Sequence, residues 1–240
     1  RRSFDRSMPE EINRVVTDQL AGLLLTTSPE GLTNLTNEGV DLKSVAFVGN
    51  PMIDTLLKNR PRFSGSEIVA SLGIDGAYAV ATLHRPANVD SHAAAAQIVD
   101  ALRACSERLP LIVPLHPRGR QALAAAGLDD LPRVFVIDPL SYLNFMGLVQ
   151  GSAAVITDSG GVQEETTVLG IPCLTLRPNT ERPITITHGT NRLVDYGNLA
   201  KELDRALARS QDGSQIQVPP LWDGHAGERI ADALVDWMTT

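Results

Sequence analysis

Residues 153–165 read Ala153-Ala154-Val155-Ile156-Thr157-Asp158-Ser159-Gly160-Gly161-Val162-Gln163-Glu164-Glu165, and this stretch decides the fold. Its first four residues form a short, continuously apolar run of the kind that makes a strand buried on both faces. The serine and two glycines that follow mark a turn into a helix. Such a turn suits an anion. Glycine lets the backbone come close to a ligand, and the free amides of the first helical turn point at it. Glu165 stands one turn beyond Gly161 on the same helix face, where it can accept hydrogen bonds from a sugar or ribose. The combination points to a phosphate carrying a polyhydroxy group, that is, a nucleotide or nucleotide-sugar. Asp, Ser and early Glu are also ordinary helix-start residues, so an isolated Ser-Gly-Gly reads first as a tight turn with a solvated acidic pair. The polar clusters at other strand ends favour the site.

Working outward, apolar runs at 77–81, 111–113, 134–137, 153–156 and 172–176 alternate with helical segments near 91–107, 118–126, 141–150 and 161–169. Short buried strands separated by helices predict a parallel sheet covered on both faces, a doubly wound α/β domain with its ligand site at the carboxyl ends of the strands. Polar clusters occupy those ends: Thr82-Leu83-His84-Arg85, Pro114-Leu115-His116-Pro117-Arg118, Asp138-Pro139 and Asp158-Ser159. Side chains from separate loops therefore converge on one rim. Two further helices are predicted at 198–210 and 226–240.

The first 50 residues differ in kind. They predict a helix near 10–17, a strand at 22–25, a helix near 30–37 and a strand at 45–48, too little to bury a core of their own. They read as the tail of a domain whose beginning is absent, in keeping with a chain that opens at Arg1-Arg2 without methionine. Gly49-Asn50-Pro51 then breaks the strand and starts the next helix, a candidate hinge.

The 21 Lys and Arg against 28 Asp and Glu give a net charge of −7, which argues against nucleic acid or an anionic membrane as the main partner. The two cysteines, Cys105 and Cys173, lie on apolar stretches without metal-ligand spacing and are expected to be buried thiols in a reducing compartment. No apolar run approaches a membrane span and no secretory signal opens the chain, so a cytoplasmic location is expected.

Six motifs carry a resemblance: Met8-Pro9-Glu10-Glu11-Ile12-Asn13-Arg14, Val48-Gly49-Asn50-Pro51-Met52-Ile53-Asp54, His84-Arg85, Pro114-Leu115-His116-Pro117, the Thr157-to-Glu165 stretch and Arg177-Pro178-Asn179-Thr180-Glu181-Arg182-Pro183. In this order, and over almost the whole chain, they resemble the non-hydrolysing UDP-N-acetylglucosamine 2-epimerases. The resemblance implies a glycosyltransferase-B-like architecture of two Rossmann-like halves. Residues 1–49 would be the end of the N-terminal half and 50–240 the entire UDP-binding half, with roughly 120 residues preceding them on ordinary domain sizes. It implies inversion at C2 of UDP-GlcNAc to give UDP-ManNAc, by elimination of UDP to 2-acetamidoglucal and re-addition, with no metal or other cofactor. A homodimer is implied for the full-length form.

By the same resemblance Glu10 and His84 are catalytic, and His84 and Arg85 meet the diphosphate region. Ser159, Gly160, Gly161 and Glu165 bind UDP, Arg182 closes over the ligand, and Leu140 and Phe145 line the uracil pocket. His116 matches a histidine that belongs to a regulatory nucleotide-sugar site in some bacterial members. Read without the family, Glu10 is helix-start chemistry, Phe145 is core, and Arg182 is an ion-pair partner of Glu181 or Asp195. The chain departs from the pattern at Ala87, where the family commonly has a glutamate. Two other readings stay open: a glycosyltransferase of the same architecture, and a UDP-sugar-binding fragment that catalyses nothing.

Overall fold

A computed structural model describes residues 4–6, 9–84, 92–211 and 217–239. In chain order the elements are α1 (Pro9–Leu20), β1 (Leu24–Thr26), α2 (Pro29–Asn37), β2 (Val45–Phe47), α3 (Pro51–Asn59), α4 (Ser66–Ser71), β3 (Ala79–Thr82), α5 (His92–Ser106), β4 (Leu111–Pro114) and α6 (Pro117–Ala125). There follow β5 (Val134–Ile137), α7 (Tyr142–Gly151), β6 (Ala154–Thr157), α8 (Gly160–Leu169), β7 (Cys173–Leu176), α9 (Ile184–Thr187), β8 (Asn191–Val194), α10 (Leu199–Gln211) and α11 (Ala226–Thr239). The described residues group into two compact units. One draws on Pro61–Pro178 and Thr190–Ile216, the other on Arg1–Arg60, Asn179–Gly189 and Gln217–Thr240.

The larger unit is built on a six-stranded sheet in the order β5-β4-β3-β6-β7-β8, with every pairing parallel. This is the doubly wound α/β class expected from the sequence, and the strand order reverses direction between β3 and β6. Side-chain alternation explains the continuous apolar runs. Ala79 and Ala81, Leu111 and Val113, and Ala154 and Ile156 join one core cluster with Ala95, Ile98 and Leu102 of α5 and Leu199 and Leu203 of α10. The intervening Val80, Ile112 and Val155 are equally buried and face the opposite side, where α7 and α8 pack. Each fully buried aliphatic side chain contributes about 1.5–3 kcal/mol.

Five strands lie where the apolar runs predict them. The sixth, β8, has no such run: it is a four-residue edge strand, Asn191-Arg192-Leu193-Val194, with two polar residues that hide it from a hydrophobicity reading.

In the smaller unit β1 and β2 pair in parallel, Leu24 opposite Val45 and Thr26 opposite Phe47. The Asn50 side chain accepts the Met52 N–H at 3.1 Å and caps α3, with Pro51 at its first position. Asp54 of α3 accepts the backbone N–H groups of Ala226 and Gly227 at 3.1 and 2.7 Å, a carboxylate where the helix dipole of α11 favours one. The Trp222 indole donates to the Thr27 carbonyl at 2.8 Å. Gly49 has φ +88°, and a Cβ there would lie 2.1 Å from the Leu221 carbonyl oxygen, so only glycine fits.

Both cysteines are buried free thiols, and burial pushes them up, Cys105 to about 12 and Cys173 to about 11. Among the described residues no helix is long and apolar enough to cross a membrane.

Candidate active site

The reversal of strand order places a crevice outside the carboxyl ends of β3 and β6, the position where open α/β sheets bind ligands. β3 and β6 are in register there, with Thr82 opposite Thr157. The next residues along each strand are the ones the sequence marks: His84 after β3, and Asp158 and Ser159 after β6.

Asp158 is fully buried and ties the two strand ends together. Its N–H donates to the Thr82 carbonyl at 3.3 Å. Its carboxylate accepts the His84 N–H at 3.1 and 3.2 Å and lies 2.8 Å from His84 Nδ1. The His84 imidazole itself remains 57% exposed, so the ring is held at Nδ1 while most of its surface faces outward. Burial, and then the Asp158 charge, pushes the Tyr196 phenol up.

Ser159 is the N-cap of α8, and its side chain makes no capping hydrogen bond. The amides of the Gly160-Gly161 turn open the helix without that capping bond, an arrangement that suits an anion. Beneath the turn runs a buried polar chain. The Thr175 hydroxyl donates to Asn191 Oδ1 at 2.6 Å, Asn191 Nδ2 donates to Gln163 Oε1 at 3.0 Å, and Gln163 Nε2 donates to the Ser159 carbonyl at 3.1 Å. Strands β7 and β8 thereby hold the N-cap residue in place.

Glu165, on α8, is 7% exposed. Burial pushes its carboxyl up to about 7, with a hydrogen bond from Tyr142 opposing and Glu164 adding to the rise. The Tyr142 hydroxyl donates to Glu165 Oε1 at 3.0 Å. Leu140 and Phe145, both half-buried, flank that tyrosine at the end of β5 and the start of α7. His116 is exposed at the N-terminus of α6, after β4.

The larger unit therefore brings His84, Ser159, Gly160, Gly161 and Glu165 onto two neighbouring strand–helix connections, with Leu140, Phe145 and His116 after β5 and β4. Glu10 and Arg182 belong to the smaller unit. Glu10 is exposed in the first turn of α1, whereas Glu11 is buried and lies 3.5 Å from Arg14. Arg182 is half-buried and donates to Glu181 at 3.1 Å. Arg85 and Ala87 lie outside the described residues.

Sequence reasoning assigns no role to Asp158 or Tyr142. Asp158 stands inside the quoted stretch, where a helix-start reading absorbs it. Tyr142 is 23 residues from Glu165 and carries no local signal at all.

The chain matches, over residues 1–235, the sequence profile of a family described as UDP-N-acetylglucosamine 2-epimerase. It is 37% identical over 243 residues to a UDP-N-acetylglucosamine 2-epimerase of Methanocaldococcus jannaschii, covering 97% of this chain and 66% of that protein. It is 38% identical over 241 residues to a UDP-2,3-diacetamido-2,3-dideoxy-D-glucuronate 2-epimerase of Pseudomonas aeruginosa, covering 97% and 65%. The crystal structure of the Methanocaldococcus jannaschii enzyme in complex with UDP-GlcNAc and UDP aligns with a TM-score of 0.82 at 35% identity, over 98% of this chain and 67% of that one. The chain thus spans about two thirds of the length of the curated relatives it matches.

Proposed function

The chain belongs to the UDP-N-acetylglucosamine 2-epimerase family, and from that premise we propose that it epimerises a UDP-linked N-acetylhexosamine at C2, with UDP-GlcNAc and UDP-ManNAc as the interconverting pair. The observation that carries this reading is the pairing at the β3–β6 reversal. A glycine-rich helix start whose N-cap serine makes no capping bond stands beside a histidine held by a buried carboxylate.

The C2 proton of such a sugar is not acidic, so direct removal is disfavoured. Elimination avoids the problem. A base takes the C2 proton while the C1–O bond to UDP breaks, leaving 2-acetamidoglucal and UDP. Re-addition forms the C1–O bond again and delivers a proton to the opposite face of C2. The step is redox-neutral, and its demands are charge stabilisation on the departing diphosphate and acids and bases on the sugar. The Gly160-Gly161 amides and His84 answer the first demand. Glu10 is assigned to the second, with Glu165 accepting ribose hydroxyls, Leu140 and Phe145 against the uracil, and Arg182 as a further contact to the ligand. His116 is kept as a candidate for a second nucleotide-sugar site.

A second reading concerns the sugar. Identity to the diacetamido-glucuronate 2-epimerase, 38%, stands level with the 37% to the GlcNAc enzyme. Incubation with each UDP-sugar in turn, followed by anion-exchange separation of the 2-epimers, distinguishes the two. Conversion of UDP-GlcNAc supports the first reading, conversion of the glucuronate alone supports the second, and conversion of neither counts against the epimerase assignment.

A further inference from the structure

Tyr142 begins α7 directly after the N-cap Ser141, whose hydroxyl accepts the Asn144 N–H at 3.3 Å. Its ring meets Phe63 edge-on, with centroids 6.2 Å apart and planes at 81°, a geometry that aromatic pairs favour. The helix beneath it is fixed. The Ser64 N–H donates to the Leu143 carbonyl at 3.3 Å, and a Cβ on Gly147 would lie 2.4 Å from the Ser64 carbonyl carbon, so the two backbones touch. Yet Tyr142 keeps 39% of its surface exposed, more than a core aromatic would. Its hydroxyl reaches across to α8 and Glu165 Oε1 at 3.0 Å.

We propose that Tyr142 is a positioning residue for ligand binding: its hydroxyl, set in place by Phe63 and the start of α7, orients the Glu165 carboxylate so that its remaining lone pairs receive the hydroxyls of a ribose or sugar. The role rests on the nucleotide-sugar reading above.

Chemistry gives the pair a second consequence. A carboxylate accepts from ligand hydroxyls on all its lone pairs only when ionised. Burial drives Glu165 toward its neutral form, and the bond from Tyr142 favours the charged one. The other group acting on it is Glu164 of its own helix. Of the strands packed on α8, β6 carries no titratable side chain, β7 carries only the buried Cys173 thiol, and β8 carries Arg192, which is paired with Glu202 at 3.0 Å. Among the described residues Tyr142 is therefore the group from another element that favours the ionised form of Glu165 against its burial.

Tyr142→Phe removes the hydroxyl and retains the ring. The Glu165 carboxyl is followed in the ligand-free protein by 13C NMR, its resonance identified with Glu165→Gln, and UDP affinity is measured by calorimetry from about pH 6 to about pH 9. Tyr142→Phe should move the Glu165 midpoint upward by about 1 pH unit, the worth of one hydrogen bond to a charged group. UDP binding should weaken about 5–10-fold near pH 7 and by less, though still measurably, near pH 9, where the carboxylate is ionised and only its orientation is lost. An unmoved midpoint, or UDP affinity equal to wild type at every pH, overturns the role. A displaced midpoint in a protein that ignores UDP refutes the nucleotide reading while upholding the coupling of Tyr142 to Glu165.

Discussion

Asp158 Oδ1 lies 2.8 Å from His84 Nδ1, and the same carboxylate receives the backbone N–H of that histidine. A carboxylate only accepts, so Nδ1 carries a proton toward it, and the contact fixes the orientation of the ring. Asp158 is fully buried, so its carboxylate has its partners within the protein rather than in water. The contact joins the ends of β3 and β6 at the one place where the strand order reverses, so the fold itself brings the two residues together.

Asp158→Asn removes the charge and offers an amide in place of one acceptor. Loss of a hydrogen bond to a charged group costs about 1.5–3 kcal/mol, so turnover should fall by roughly 10–150-fold. The 15N shifts of the His84 ring should report a changed tautomer balance. Unchanged turnover with unchanged ring shifts would show that Asp158 does not orient the histidine.

Glu165 predicts a pH dependence of stability. Its folded-state value of about 7 stands above the ordinary 4.5, so the native state holds the proton to higher pH than the unfolded chain does. The stabilising contribution is fully present below about pH 4.5 and is lost as pH rises through about 7. Above that, the buried charge costs on the order of 1–3 kcal/mol. Urea unfolding should therefore find Glu165→Gln more stable than wild type near pH 8 and no more stable near pH 4.5. An equal difference at both pH values would contradict the assignment.

The chain of Thr175, Asn191, Gln163 and Ser159 makes a separable prediction. Asn191→Ala takes one partner from Thr175 and one from Gln163, both fully buried, at about 1–3 kcal/mol for each group left with unmet demand. The melting temperature should fall, and UDP affinity should fall with it, because Gln163 holds the Ser159 carbonyl. A drop in melting temperature with UDP affinity unchanged would show the chain to be structural only.

Much of this was legible in the sequence, for a physical reason. Strands buried on both faces are written as apolar runs, and the polar residues just after them lie on one rim, so His84, Asp158 and Ser159 could be placed before any coordinates. The edge strand β8 could not, since half of its four residues are polar. Nor could the choice between Glu10 and Glu11 as the exposed carboxylate of α1, which depends on Arg14 and the packing around it. Tyr142 was illegible because its partner lies on another helix, and a single polar contact between two helices leaves no periodicity in the chain. The grouping of residues 179–189 and 217–240 with the first 60 is likewise a property of long-range contacts that hydrophobic spacing does not record.

Proton NMR of UDP-GlcNAc in D2O with the purified protein tests the central claim most directly, because it reads uridine binding and exchange at C2 in one sample. Elimination and re-addition must pass a solvent proton through C2, so the account predicts broadened uridine resonances, deuterium entering at C2, and UDP-ManNAc appearing alongside. Broadened uridine resonances with the C2 proton retained throughout would contradict the epimerase chemistry and leave a nucleotide-binding protein whose reaction lies elsewhere.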